Sequence, residues 1–128
     1  MRLFSMQLTN NFSKSEFDSK DGAEMTDDVL DNVKKLAGYL QILRDHLDKA
    51  IKINSGYRSP SHNKKIGGKP KSIHLLGLAA DIVVSGMKPK EVFKEVEKLQ
   101  EEGKLPEGGL SAYATFLHID FRGKKARW

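Results

Sequence analysis

The chain has 128 residues, 38% of them hydrophobic and 30% charged, which is the make-up of one soluble globular domain. It contains no cysteine, so disulfides, thiolate zinc knots and cysteine nucleophiles are excluded, and any metal must be held by His, Asp or Glu. No apolar run approaches the ~20 residues of a membrane span, and 22 Lys+Arg against 17 Asp+Glu leave a formal charge of +5.

That charge serves ordinary solubility or attraction to a polyanion. The basic residues cluster at Lys64, Lys65, Lys69 and Lys71 and again at Arg122, Lys124, Lys125 and Arg127. They are joined by no recognised nucleic-acid motif and by only 8% aromatic residues, so nucleic acid is not the expected partner. Met1 to Gln7 carry a charge but no apolar stretch of about 7–15 residues behind it, so no signal peptide is expected.

Leu8 to Phe17 read as an extended entry followed by a short helical turn. Ser13 caps that turn with Glu16 three residues on, and Phe12 and Phe17 anchor it to the core. A long helix is expected from Thr26-Asp27-Asp28, where hydroxyl and acidic residues suit a helix start. Val29, Val33, Leu36, Leu40, Leu43 and Leu47 form its apolar stripe, and it should end near Lys49-Ala50. Ile51 to Asn54 alternate as a strand, broken by the loop Ser55 to Pro60.

Ser61 to Ile66 suggest a helical turn stopped by Gly67-Gly68, and Lys69 to Ile73 a polar loop. Ala79 to Val84 read as a strand. Pro89 opens a second helix with Val92, Phe93, Val96 and Leu99 on its buried face, ended by Gly103. Gly108-Gly109 turn into Leu110 to Tyr113, and Thr115 to Phe121 form the last strand. The expected fold is α+β, one domain over residues 1–128 with helices packed on a small, mostly antiparallel sheet.

The chemistry concentrates at His74, Asp81 and His118. Two imidazoles and a carboxylate suit zinc with one coordination position left for water. Asp81 interrupts an otherwise apolar strand, where a carboxylate is costly unless paired or bound to a cation; a salt bridge or a backbone cap is the alternative. In the last strand Phe116, His118 and Asp120 share one face while Leu117 and Ile119 point to the other. That face is either a site or the wet side of a one-sided sheet. A zinc-bound water of pKa near ~7 would support amide hydrolysis. Arg58, in a rigid turn after a strand, offers a fork matched to a carboxylate; a surface Arg bridging a loop is the alternative.

Ordered blocks then carry a resemblance: Ser55-Gly56-Tyr57-Arg58-Ser59-Pro60-x-His62-Asn63, Gly67-Gly68, Ser72-x-His74-x-x-Gly77-x-Ala79-x-Asp81, Gly108-Gly109, Phe116-x-His118-x-Asp120-x-Arg122-Gly123 and Ala126-Arg127-Trp128. Over about residues 8–128 the chain resembles the zinc D-Ala-D-Ala carboxypeptidases, most of all their short phage and bacterial branch, whose fold is shared with hedgehog signalling domains. The resemblance implies one zinc ion on His74, Asp81 and His118, and Arg58 binding substrate or charge developing on its carbonyl. It implies Ser72 lining the site, and peptidoglycan peptides as partner and substrate. A protein of this kind, without a signal peptide, is expected to be cytoplasmic as made or phage-associated, to act on the cell wall after release, and to be a monomer.

One departure stands out. Many relatives carry Glu or His two or three positions before the last ligand, where this chain has Thr115 and Phe116. Asp120 is the nearest replacement, either accepting a proton from the zinc water or orienting an imidazole. His62 is a further candidate, with a helix-surface role ranked above it. Tyr57 and Tyr113 are expected to line the cleft, and Trp128 to cover the core. An enzyme is the leading expectation. A zinc-containing module that binds peptidoglycan without turnover, and a basic nucleic-acid binder, are the alternatives.

Overall fold

The long amphipathic stripe folds as expected. In the computed structural model, which describes residues 6–128, helix α1 spans Asp27–Leu47, and the Thr26 hydroxyl accepts a hydrogen bond from the Val29 amide at its start. Met1 to Ser5, on which most of the signal-peptide reading rests, lie outside the described residues. Val33, Leu36, Leu40 and Leu43 are fully buried, while Val29 and Leu47 at the two ends only pack against the core. The helix stops short of Lys49 because Asp48 turns left-handed (φ 52°) and gives its amide to the Arg44 carbonyl, a conformation a short polar side chain tolerates.

Strands β1 (Ile51–Ser55), β2 (Ala79–Val84), β3 (Gly109–Ala112), β4 (Leu117–Asp120) and β5 (Ala126–Arg127) form one sheet in the order β1-β2-β4-β3-β5. Every pairing is antiparallel except β3 with β5. The last long strand is shorter than Thr115 to Phe121, because the Tyr113 amide closes a tight turn on the Phe116 carbonyl. Two-residue β5 has no alternation to announce it. Helix α3 (Pro89–Glu101) packs on β3, β4 and β2, and Arg127 ties β5 to it by donating to Gln100 and Glu97.

Strand alternation separates the two faces of the sheet. Ile51, Ile53, Ala80, Ile82, Val84, Leu110, Leu117 and Ile119 join the hydrophobic core with α1 and α3. Asp81 and His118 fall on the opposite face. Phe12 and Phe17, from the entry segment and its 3-10 turn (Lys14–Phe17), close the core with ring centroids 6.0 Å apart.

The loop after β1 is held from below. The Tyr57 amide donates to the Phe17 carbonyl, and a Cβ on Gly56 would stand 2.8 Å from the Phe17 Cα, so only glycine fits. Helix α2 (Pro60–Lys65) is capped by Ser59, whose hydroxyl accepts the His62 amide and donates to Asp21. Asp21 also accepts from the Ser19 hydroxyl and the Ala23 amide, and these bonds, that from Ser59 first, lower its pKa to about 2.

Because folding lowers this pKa, the stabilisation is complete above about pH 4 and is lost as the pH falls through about 2. Asp21→Ala should therefore melt below the unaltered protein at pH 7, and the gap should close as the pH is lowered toward 2. A gap that is constant with pH in thermal melts would show that Asp21 does not act through its charge.

Candidate metal centre

Asp81 and His118 are register partners across β2 and β4, and partners in an antiparallel pair project on the same face. His118 Nδ1 lies 3.2 Å from Asp81 Oδ1. His74 reaches the pair from a 3-10 turn, Ile73–Leu76, which Ser72 caps by accepting the His74 amide at its hydroxyl. Gly77, at a left-handed φ of 78°, ends that turn and returns the chain to β2. His74 Nε2 lies 3.4 Å from the same Asp81 oxygen. One donor atom from each of the three residues falls within 4.8 Å of the others, so they form a group able to hold a metal ion.

The surroundings set the tautomers. His74 Nδ1 is 2.7 Å from the Gly56 carbonyl, which can only accept, so the ring proton sits there and Nε2 presents a lone pair. His118 Nε2 is 2.7 Å from Asp120 Oδ2, so its proton sits on that side and Nδ1 presents a lone pair. Two lone pairs and a carboxylate then converge on one point, and three acceptors require a cation. A proton on His118 can serve. Burial favours the neutral ring, but hydrogen bonds to Asp120 and Asp81 outweigh it and raise the His118 pKa. A divalent metal can take the proton's place, with the proton released on binding. Burial also works against the charge on Asp81, yet when the imidazoles carry the extra proton, hydrogen bonds from His118 and His74 hold its carboxyl well below the usual carboxylate range. The nitrogen and oxygen donors are those that zinc accepts.

Asp120 stands behind this group and away from the cleft. It is 0% exposed, and its oxygens accept five hydrogen bonds, from His118, the Gly109 amide, and the Arg122 amide, Nε and Nη2. Burial opposes its charge, but the bonds from His118 and Arg122 push its pKa far down. Gly108 and Gly109 allow this packing: a Cβ on Gly109 would run into the Asp120 carboxylate, and one on Gly108 into its carbonyl.

A cleft of roughly 740 Å³ opens over the three donors. One wall is the loop that carries Lys69, Lys71 and Ser72, and Arg58 lies beside Asp81. Arg58 donates from Nε to the Ser55 hydroxyl (3.2 Å) and from Nη2 to Asp81 Oδ2 (3.3 Å). A bulge between Ile53 and Ser55 brings Ser55, not Asn54, opposite Asp81. The other wall is aromatic. Tyr113 stacks on Phe116 (4.6 Å), and Trp128 lies 5.0 Å from the His118 ring with Arg122 over its own ring.

Two expectations are corrected. Tyr57 does not line the cleft; at 6% exposure it belongs to the core, drawn under by its bond to Phe17. Trp128 does not cover the core; it is 53% exposed and lines the cleft, because β5 runs beside β3 and delivers it there. His62 sits on α2 and is not among the cleft-lining residues, whereas Ser72, Arg58 and Tyr113 are. In the sequence Arg122 reads as part of a basic cluster and of the resemblance but with no site role, although its place two residues after Asp120 is a usable signal.

Residues 7–120 match the model of the peptidase M15 family. The chain belongs to that family. The matched span contains all three donors and Asp120 and stops before Arg122 and Trp128. No curated protein matches the chain at a significant level. M15 membership makes the protein a metallopeptidase by family, and the convergent donors give that chemistry a place in this chain.

His74→Ala should lose stoichiometric zinc in elemental analysis of dialysed protein. Asp120→Asn should keep the fold and bind zinc about 10–100-fold more weakly in chelator competition, since it disturbs the partner that fixes the His118 tautomer. Full zinc retention by His74→Ala would sink the donor assignment.

Proposed function

We propose that the protein is a zinc-dependent peptidase that hydrolyses peptide bonds in peptidoglycan stem peptides, as a D-Ala-D-Ala carboxypeptidase or endopeptidase. The observation that carries this is the convergence of two imidazole lone pairs and a carboxylate on the floor of an open cleft, in a chain of the M15 family. His74, Asp81 and His118 would hold one zinc ion, and three protein ligands leave a position for water. When bound, zinc supplies Lewis acidity and a water whose pKa falls toward ~7.

The chain's own groups do the rest. Ser55 and Asp81 hold the Arg58 guanidinium at the cleft, where it can bind a substrate carboxylate or charge developing on the scissile carbonyl. The Ser72 hydroxyl accepts the His74 amide and keeps its own proton for substrate. Lys69 and Lys71 suit the carboxylates of a stem peptide. Asp120, buried and fully bonded, acts as a positioning residue that fixes the His118 tautomer rather than as the proton acceptor.

One observation favours a second reading. Among the described residues that line the cleft, Asp81 is the one carboxylate, and Phe116 stands where relatives carry an acid or a base. A zinc-containing module that binds wall peptides without turnover would look the same.

Mass spectrometry of purified muropeptides incubated with zinc-loaded protein, beside a chelator-treated control, separates the two. Zinc-dependent loss of a terminal D-Ala, or a cut within the stem or cross-bridge, is expected. Unchanged muropeptides across several stem types would leave the binding module standing.

A further inference from the structure

If the site is a peptidase site, as proposed above, its lining holds, among the described residues, no acidic or imidazole side chain besides the three donors His74, Asp81 and His118. The aromatic wall offers a hydroxyl, that of Tyr113. The Tyr113 hydroxyl accepts a hydrogen bond from Trp128 Nε1 at 2.8 Å, and its own proton has no acceptor among the described residues. Tyr113 is 44% exposed and lines the cleft together with His74, Asp81 and His118.

The other polar side chains of this wall, Arg122 and Trp128, are held in place by bonds of their own. Arg122 gives Nε and Nη2 to Asp120, and the indole N–H of Trp128 goes to Tyr113. The Tyr113 ring is fixed by its stack on Phe116, with an angle of 13° between planes. Trp128 is fixed by its contact with His118, by Arg122 over its face, and by the Ser111 hydroxyl donating to its carbonyl. An N–H donated into a phenol oxygen polarises the O–H and makes it a stronger donor. A rigid donor of this kind suits an oxygen that gains charge during reaction, because it needs no reorganisation when the charge appears.

We propose that Tyr113 is a catalytic residue whose hydroxyl donates a hydrogen bond to the oxyanion formed at the scissile carbonyl, and that Trp128 is the positioning residue that aims it. The phenol keeps its proton throughout, so no bond is made or broken at Tyr113. Phe116, whose place in the chain looked like a loss of function, becomes the platform on which this donor rests.

The test compares the zinc-loaded protein with Tyr113→Phe, which keeps the ring stack and removes only the hydroxyl. One substrate is used, the muropeptide that the unaltered protein cuts, with a phosphinate peptide matched to the same bond. Trp128 is the one tryptophan of the chain, so its fluorescence reports occupancy of the cleft directly. Zinc stoichiometry and KM should be unchanged, kcat should fall on the order of 100-fold, and the Kd of the tetrahedral phosphinate should rise by a similar factor. Trp128→Phe should shift kcat in the same direction by about 3–10-fold, the worth of one neutral hydrogen bond. Unchanged kcat and phosphinate Kd in Tyr113→Phe would overturn the role of Tyr113 and leave the peptidase intact. No zinc-dependent cut by the unaltered protein would overturn the peptidase and this role with it.

Discussion

Asp81 and His118 face each other across the β2–β4 ladder, and a carboxylate set among Ala79, Ala80, Ile82 and Val84 cannot stay charged without compensation. The rest of the site follows from supplying that compensation. His74 is brought in from a capped 3-10 turn, Arg58 reaches in from the β1 loop, and each imidazole has its proton drawn to the far side of the ring. What remains in the middle is a cluster of acceptors that only a cation can reconcile.

The support behind the cluster is densely hydrogen-bonded. Asp120 is held by the forked guanidinium of Arg122 and by two backbone amides, so the His118 ring has little freedom to turn. The arrangement depends on Gly108 and Gly109, since a side chain at either would displace Asp120. A carboxylate engaged in this way is poorly placed to move protons and well placed to orient a ligand.

The opposite wall depends on close approach as well. Gly56 lies against the Phe17 backbone while its carbonyl receives the His74 proton, so the entry segment, the Arg58 loop and the first donor form one continuous contact. Asp21, with Ser19 and Ser59, fastens the other end of that loop. The N-terminal segment is therefore part of how the site is built, although none of its described residues is among those lining the cleft.

The sequence by itself determined the elements whose information is local. The four-three spacing from Val29 to Leu47 specifies α1. The two-residue alternation in β4 places His118 and Asp120 on one face, and the polar interruption of β2 marks Asp81. Such periodicities depend only on neighbours along the chain. Tertiary structure alone decided that Tyr57 is buried and Trp128 exposed at the cleft, that Asp120 is sealed behind His118, and that Tyr113 and Trp128 share a hydrogen bond. The burial of Tyr57 depends on its contact with distant Phe17, and the others depend on the strand order β1-β2-β4-β3-β5. That order brings together residues far apart in the chain, and no local pattern records which strand will lie beside which.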